Sequence, residues 1–133
     1  MRQIAVIGLG KFGSAVARQL AQLGVQVLAI DERKELVEEI KDSVSYAATL
    51  NATDEDALKA VGIQSVDVAV VCIGEDVEAN LLTTILLKRI GVRRIWSRAT
   101  GRLQQEILKS LGIDNVISIE DEMGSIVGRS LVS

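Results

Sequence analysis

The sequence predicts an α/β fold, a doubly wound parallel sheet of six strands in the order 3-2-1-4-5-6, and three observations predict it. Residues 3–13 read Gln-Ile-Ala-Val-Ile-Gly-Leu-Gly-Lys-Phe-Gly, a β-branched apolar run that breaks into a G-x-G-x-x-G turn. Six short apolar runs alternate with helix-length segments along the whole chain. These runs are nearly continuous in apolar residues, the pattern of strands covered on both faces. Each pair of consecutive strands is separated by one helix, the crossover that a parallel pair needs.

Each element has its own signal. The first strand, about 3–8, leads into a helix with Phe12, Val16, Leu20 and Leu23 on one face, closed by Gly24. The second strand, 25–31, ends in Asp31 and is followed by a short helix carrying Leu36, Val37 and Ile40. After a third strand at 45–50, a helix opens at Thr53 with Asp56 three residues on, a capping-box arrangement, and stops at Gly62. The fourth strand, 66–73, contains Val68-Ala-Val-Val-Cys-Ile73. A long helix then runs from about Val77 to Ile90, with Leu81, Leu82, Ile85 and Leu86 as its apolar positions, and ends at Gly91. A fifth strand at 93–98, a helix over about 103–111 ending at Gly112, and a sixth strand at 115–119 complete the sheet. Glycine stands where four of these helices need a left-handed terminal residue. The last segment, about 120–133, is amphipathic, with Met123, Ile126, Val127 and Leu131 on one face.

Composition narrows the function classes. At 133 residues the chain suits one domain, 1–133, able to bury about two-thirds of its unfolded surface. Apolar residues make up 48% and aromatics 2%, so the core is aliphatic. The net charge is −3 and the basic residues are dispersed, without the basic stripe and stacking aromatics of a nucleic-acid binder. The single Cys72 sits inside an apolar run and reads as a small buried hydrophobe, not as part of a disulfide framework. No apolar stretch reaches the ~20 residues of a membrane span, and the expected location is cytoplasmic.

In a doubly wound sheet, ligands bind beyond the carboxyl ends of the strands, where the strand order switches direction. The residues that follow each strand should therefore meet in one crevice. The first strand supplies Gly8, Leu9, Gly10, Lys11, Phe12 and Gly13. Gly8 makes the turn, Gly10 clears the backbone for a pyrophosphate, and Gly13 brings the helix close to the sheet. The helix that follows offers unpaired N–H groups and a positive dipole end to an anion. Asp31, eighteen residues past Gly13, is placed to accept hydrogen bonds from a ribose 2′,3′-diol. Its neighbour Glu32 repels a 2′-phosphate, with Arg33 beyond it. The third strand contributes Asn51, Ala52 and Thr53, a small polar turn fit for an adenine edge. The fourth adds Ile73, Gly74 and Glu75. Arg98 closes the fifth strand, as a phosphate fork or as a surface arginine. Glu120-Asp121-Glu122 either forms the acidic first turn of a helix or takes part in a cation site completed by other ligands.

Nothing in this set performs chemistry. The chain has no histidine, Tyr46 has no lysine four residues later, and Cys72 has no partner base. A nucleotide-binding module with a conformational output is expected, not an enzyme.

Several stretches together resemble one family. They are Ala5-Val-Ile-Gly-Leu-Gly-Lys-Phe-Gly13, Leu28-Ala-Ile-Asp31, Asn51-Ala-Thr-Asp-Glu55, Val70-Val-Cys-Ile-Gly-Glu75, Leu82-Thr-Thr-Ile-Leu-Leu-Lys88, Ile107-Leu-Lys-Ser-Leu-Gly-Ile-Asp114 and Ile119-Glu-Asp-Glu-Met-Gly124. The whole chain resembles the Rossmann-like N-lobe of the RCK (TrkA-N, or KTN) family, and within it the Ktr-type potassium uptake regulators. The resemblance implies an adenine nucleotide in the crevice, ATP or ADP, with NAD(H) or AMP in relatives. It gives Lys11 and Arg98 phosphate contacts, and Glu120 a share in a divalent cation, Mg²⁺ or Ca²⁺, at a subunit interface. Lys11 stands where Ktr regulators often carry arginine, Asn51 replaces a common aspartate, and Ser118-Ile119 stand where many relatives have proline. The resemblance further implies that 120–133 is a crossover helix reaching a partner subunit. The assembly would be a homodimer or a higher ring, an octamer in full-length relatives, peripheral to the membrane through a potassium-translocating subunit. The alternative is the cofactor-binding domain of an NAD-dependent oxidoreductase or redox sensor.

Overall fold

A computed structural model describes residues 2–133. Six strands form one sheet: β1 (Gln3–Ile7), β2 (Gln26–Asp31), β3 (Tyr46–Thr49), β4 (Val68–Val71), β5 (Ile95–Arg98) and β6 (Asn115–Ile117). The helices are α1 (Lys11–Gln22), α2 (Lys34–Ile40), α3 (Glu55–Ala60), α4 (Val77–Ile90), α5 (Arg102–Ser110) and α6 (Ile119–Val132), with a 3-10 turn at Ile63–Ser65. The sheet order is β3-β2-β1-β4-β5-β6 and every neighbouring pair is parallel. This is the expected doubly wound topology, and it puts the direction switch between β1 and β4.

Alternation along β1 and its neighbours splits the core into two layers. Ile4, Val6, Val27, Ala29, Val68 and Val70 face Ala17 of α1 and Val37 and Ile40 of α2. Ala5, Ile7, Leu28, Ile30, Ala69 and Val71 face the opposite way, toward Leu58 of α3 and Leu87 of α4. Ile7, Ile30, Leu58 and Leu87 are fully buried, each contributing about 1.5–3 kcal/mol of transfer free energy. α4 stops at Gly91, whose φ of +96° lets its N–H reach back to Leu87 and Lys88.

The structure departs from the sequence expectations at four points. α3 is capped by Asp54, whose carboxylate accepts from Ala57 N at 3.2 Å, and not by Thr53. Thr53 is already taken, because Asn51 Oδ1 accepts from both its N–H and its hydroxyl, so the helix starts after that turn. Leu23 is exposed rather than part of the buried face of α1, since the helix has ended at Gln22. In α4 the inward stripe is Asn80, Thr83, Thr84 and Leu87, while Leu82 and Ile85 are 45% and 43% exposed. The sixth strand is three residues long, because the chain turns into α6 at Ile119, inside the span expected to be strand.

α6 buries none of its residues. Met123, Ile126, Val127 and Leu131 are all exposed, so its apolar stripe finds no partner within the described residues. Among those residues no helix is long and apolar enough to cross a membrane.

Candidate functional site: the cleft beyond β1 and β4

The chain leaves β1 through Gly8 at φ +100°, a conformation that a side chain opposes, and a Cβ there would stand 2.9 Å from Ile73 N. The Gly8 N–H bonds Ile30 O at 2.8 Å, extending the ladder by one bond before the turn. Gly13 lies behind it. A Cβ on Gly13 would fall 1.7 Å from Gly8 O, so the first turn of α1 presses directly on the strand exit. Gly10 differs from both. Its φ of −67° is open to any residue and nothing lies within 4 Å of where its Cβ would stand. Its missing side chain leaves open space above the loop.

That space is a cleft of about 1040 Å³. It reaches from Asn51, Ala52 and Thr53 after β3 to Ile73, Gly74 and Glu75 after β4, and on to Arg98 at the end of β5. Gly8, Leu9, Gly10, Lys11 and Phe12 form its floor beside Asp31, Glu32 and Arg33. Every residue expected to hold a cofactor lines this cleft except Gly13, whose place is the packing behind it. α1 enters the cleft with no side-chain cap and no acid in its first turn, and the first intrahelical donor is Ser14, to Gly10 O. Its earlier N–H groups carry the partial positive charge of a helix start.

Asp31 is 8% exposed and does more than line the cleft. Its Oδ2 accepts from Leu9 N at 2.7 Å, which pins the glycine loop to the end of β2. Its Oδ1 accepts from Arg33 N at 2.9 Å and lies 3.3 Å from Arg33 Nε. A carboxylate has about four acceptor positions, so capacity for ribose hydroxyls remains. The strand-end acid thus organises the loop as well, a role hidden in sequence because the donor is a main-chain group 22 residues away.

Arg98 forms the opposite wall. Its guanidinium lies against Gly74, where a Cβ would stand 2.5 Å from Nη1, and its Cζ is 5.8 Å from the Phe12 ring centroid. Nη2 is 3.8 Å from Glu120 Oε2, a loose pair on a carboxylate that is 73% exposed. Arg98 Nε is buried with no hydrogen-bond partner among the described residues. A buried guanidinium N–H without an acceptor is costly and fits a site completed by an anion. The Arg98 side chain as a whole is 21% exposed and lines the same open space that adjoins Gly10.

Cys72 lies at the bottom of the cleft, its thiol pushed up to about 12 by burial, with the Arg98 charge opposing weakly. It stays protonated and unreactive at neutral pH. Among the described residues no three His, Cys, Asp or Glu side chains converge as a metal site, at Glu120 or elsewhere. Glu122 instead turns back to accept from Ser118 N at 2.9 Å and caps α6. Sequence reasoning did not find Thr83, Thr100 or Ile119, which also line the cleft.

Known proteins share this fold and are similar in sequence. The TrkA-N domain family matches residues 4–119. A Ktr system potassium uptake protein A from Vibrio alginolyticus is 38% identical over 98% of this chain and 60% of its own length. A protein of the same description from Bacillus subtilis (strain 168) is 36% identical over 98% of this chain and 59% of its own length. The chain therefore spans about 60% of the relatives that it matches. Among solved structures, GsuK bound to ADP superposes with a TM-score of 0.81 at 27% identity, covering 96% of this chain and 33% of that one.

Proposed function

The chain belongs to the TrkA-N domain family, and on that footing we propose that it is the nucleotide-sensing part of a potassium uptake regulator. The observation that carries the proposal is the cleft between Gly10 and Arg98, with bare backbone and a helix N-terminus on one side and an unsatisfied guanidinium on the other. The ligand is an adenine nucleotide, ATP or ADP. Its ribose lies toward Asp31, its base toward Asn51–Thr53, and its phosphates between the start of α1 and Arg98. ADP on a structurally similar protein supports this choice. We assign Glu120, beside Arg98, a share in a divalent cation with those phosphates, its remaining ligands coming from the nucleotide and a partner subunit.

The output is mechanical, with no bond made or broken. The exposed apolar stripe of α6 packs on a second copy of the chain, giving a homodimer or ring on the cytoplasmic side of a potassium-translocating membrane subunit. The first turn of α6 adjoins the cleft through Ile119 and Glu120, so a change there bears on how two copies sit. Nucleotides regulate only if they bind two arrangements unequally, and a switch from 1:99 to 99:1 needs about 5.5 kcal/mol of difference.

The test is potassium uptake by cells that lack their own systems, supplied with the full-length protein and its translocating subunit. Wild type should restore growth on limiting potassium, and Gly10→Val should not. Equal growth with both would remove nucleotide sensing from the mechanism.

A further inference from the structure

The inward face of α4 is polar. Asn80, Thr83 and Thr84 are fully buried, at the i, i+3, i+4 spacing of a stripe turned toward the sheet. Buried polar side chains are tolerated only where they are hydrogen-bonded, and these are bonded to the edges of the cleft. Asn80 Nδ2 donates to Ile73 O at 2.9 Å and to Arg98 O at 3.0 Å. Its Oδ1 accepts from Ser97 Oγ at 3.1 Å. Thr84 supports it from one turn along, donating to Asn80 O at 2.8 Å. Gln104 of α5 gives the Arg98 carbonyl a second amide donor at 3.2 Å, while its own Oε1 accepts from Thr100 N at 2.9 Å.

The location matters. The registered pairing of β4 with β5 ends at Val71 and Ser97, so Ile73 and Arg98 lie beyond the last ladder pair. One side-chain amide replaces the ladder there and sets the spacing of the two chains. Gly74, next to Ile73, is the surface against which the Arg98 guanidinium lies. The main chain that bears the Arg98 side chain and the residue before its Gly74 platform are therefore both held by Asn80.

We propose that Asn80 is a positioning residue for the phosphate site, seconded by Gln104, holding Arg98 against Gly74 with its N–H edge directed to the ligand. This inference rests on the nucleotide reading of the cleft. A purely structural asparagine would weaken all ligands alike when replaced. A positioning residue acts on the part of the ligand that Arg98 touches.

The experiment compares ATP with adenosine, which keeps base and ribose and lacks phosphates, by calorimetry on the purified chain. Asn80→Ala should lower the ATP-to-adenosine affinity ratio about tenfold, the scale of one misplaced charge-assisted hydrogen bond, with adenosine affinity unchanged within about twofold. Gln104→Ala, which leaves the Asn80 amide in place, should lower the ratio about threefold and carries the test if Asn80→Ala does not fold. An unchanged ratio in the folded variants, whether both ligands weaken equally or neither does, overturns the inference. Arg98→Ala separates the two readings. A ratio that collapses in Arg98→Ala and holds in the Asn80 and Gln104 variants refutes the positioning role alone. A ratio unchanged in Arg98→Ala itself removes Arg98 from the phosphate site, and the inference falls with it.

Discussion

Two alanine substitutions three residues apart should have opposite consequences. In Gly13→Ala the new Cβ would lie 1.7 Å from Gly8 O and 2.8 Å from Gly8 C, both main-chain atoms held at the exit of β1. To reach ordinary contact, α1 must retreat by roughly 1.5 Å or more. That retreat loosens the packing of Ala17 and the layer above Val6 and Ala29. Overpacking costs about 1–3 kcal/mol where side chains can yield, and here the obstacle is backbone, so a loss above about 3 kcal/mol is expected. At about 2.1 cal/mol/K per residue of unfolding entropy, that lowers Tm by about 10 °C or more. Gly10→Ala meets no atom within 4 Å. It gains about 0.4–1 kcal/mol from a stiffer unfolded chain and loses a similar amount because alanine caps a helix less well than glycine. Its stability should therefore stay within about 1 kcal/mol of wild type, while its methyl group enters the cleft and weakens nucleotide binding. Urea denaturation and calorimetry on the same two samples read both effects. Equal destabilisation by the two substitutions, or full ADP affinity in Gly10→Ala, would refute the assignment of packing to one glycine and ligand clearance to the other.

Three further outcomes follow from the same geometry. Asp31→Asn keeps the shape but sets an amide N–H against one of two main-chain donors, Leu9 N or Arg33 N, so urea midpoints should report a loss of about 1.5–3 kcal/mol even without nucleotide. Asp76→Ala removes the carboxylate that accepts from Ala79 N at 3.0 Å at the start of α4, and should cost about 1 kcal/mol in the same assay. Cys72 should resist alkylation at pH 8 in the folded chain and react fully in urea. Its folded pKa of about 12 stands above the ordinary 9.0, so the folded state keeps a proton that the unfolded state loses. Its contribution to stability is complete below pH 9 and declines as pH rises toward 12. A Cys72→Ala variant whose alkaline stability curve has the wild-type shape would contradict that linkage.

The glycine loop, Asp31 and the strand runs were legible in sequence because each is a local pattern: a turn, an acid at a strand end, a continuous apolar run. Residues brought to the cleft by the strand ends follow from topology once the strand order is known, which is why Asn51, Gly74 and Arg98 could be placed together. The face of α4 could not be read this way. Leu82 and Ile85 look like core and are exposed, while Asn80, Thr83 and Thr84 look like surface and are buried. Their partners are main-chain carbonyls and a serine on other elements, as with Ala52 O for Thr83 and Ile73 O for Asn80. Such bonds leave no periodic trace. The cap of α3 was missed for a related reason, since Asn51 takes up the Thr53 hydroxyl before it can cap. The apolar stripe of α6 was legible, but a stripe does not name what covers it.

A sensing role for this chain requires above all a nucleotide in the space above Gly10. Calorimetric titration of the chain with ADP, beside Gly10→Val, tests this most directly. The account predicts saturable binding at one site per chain in the wild type and no binding in the variant, with both proteins melting cooperatively. Absence of binding in the wild type, or equal affinity in the two, would contradict it.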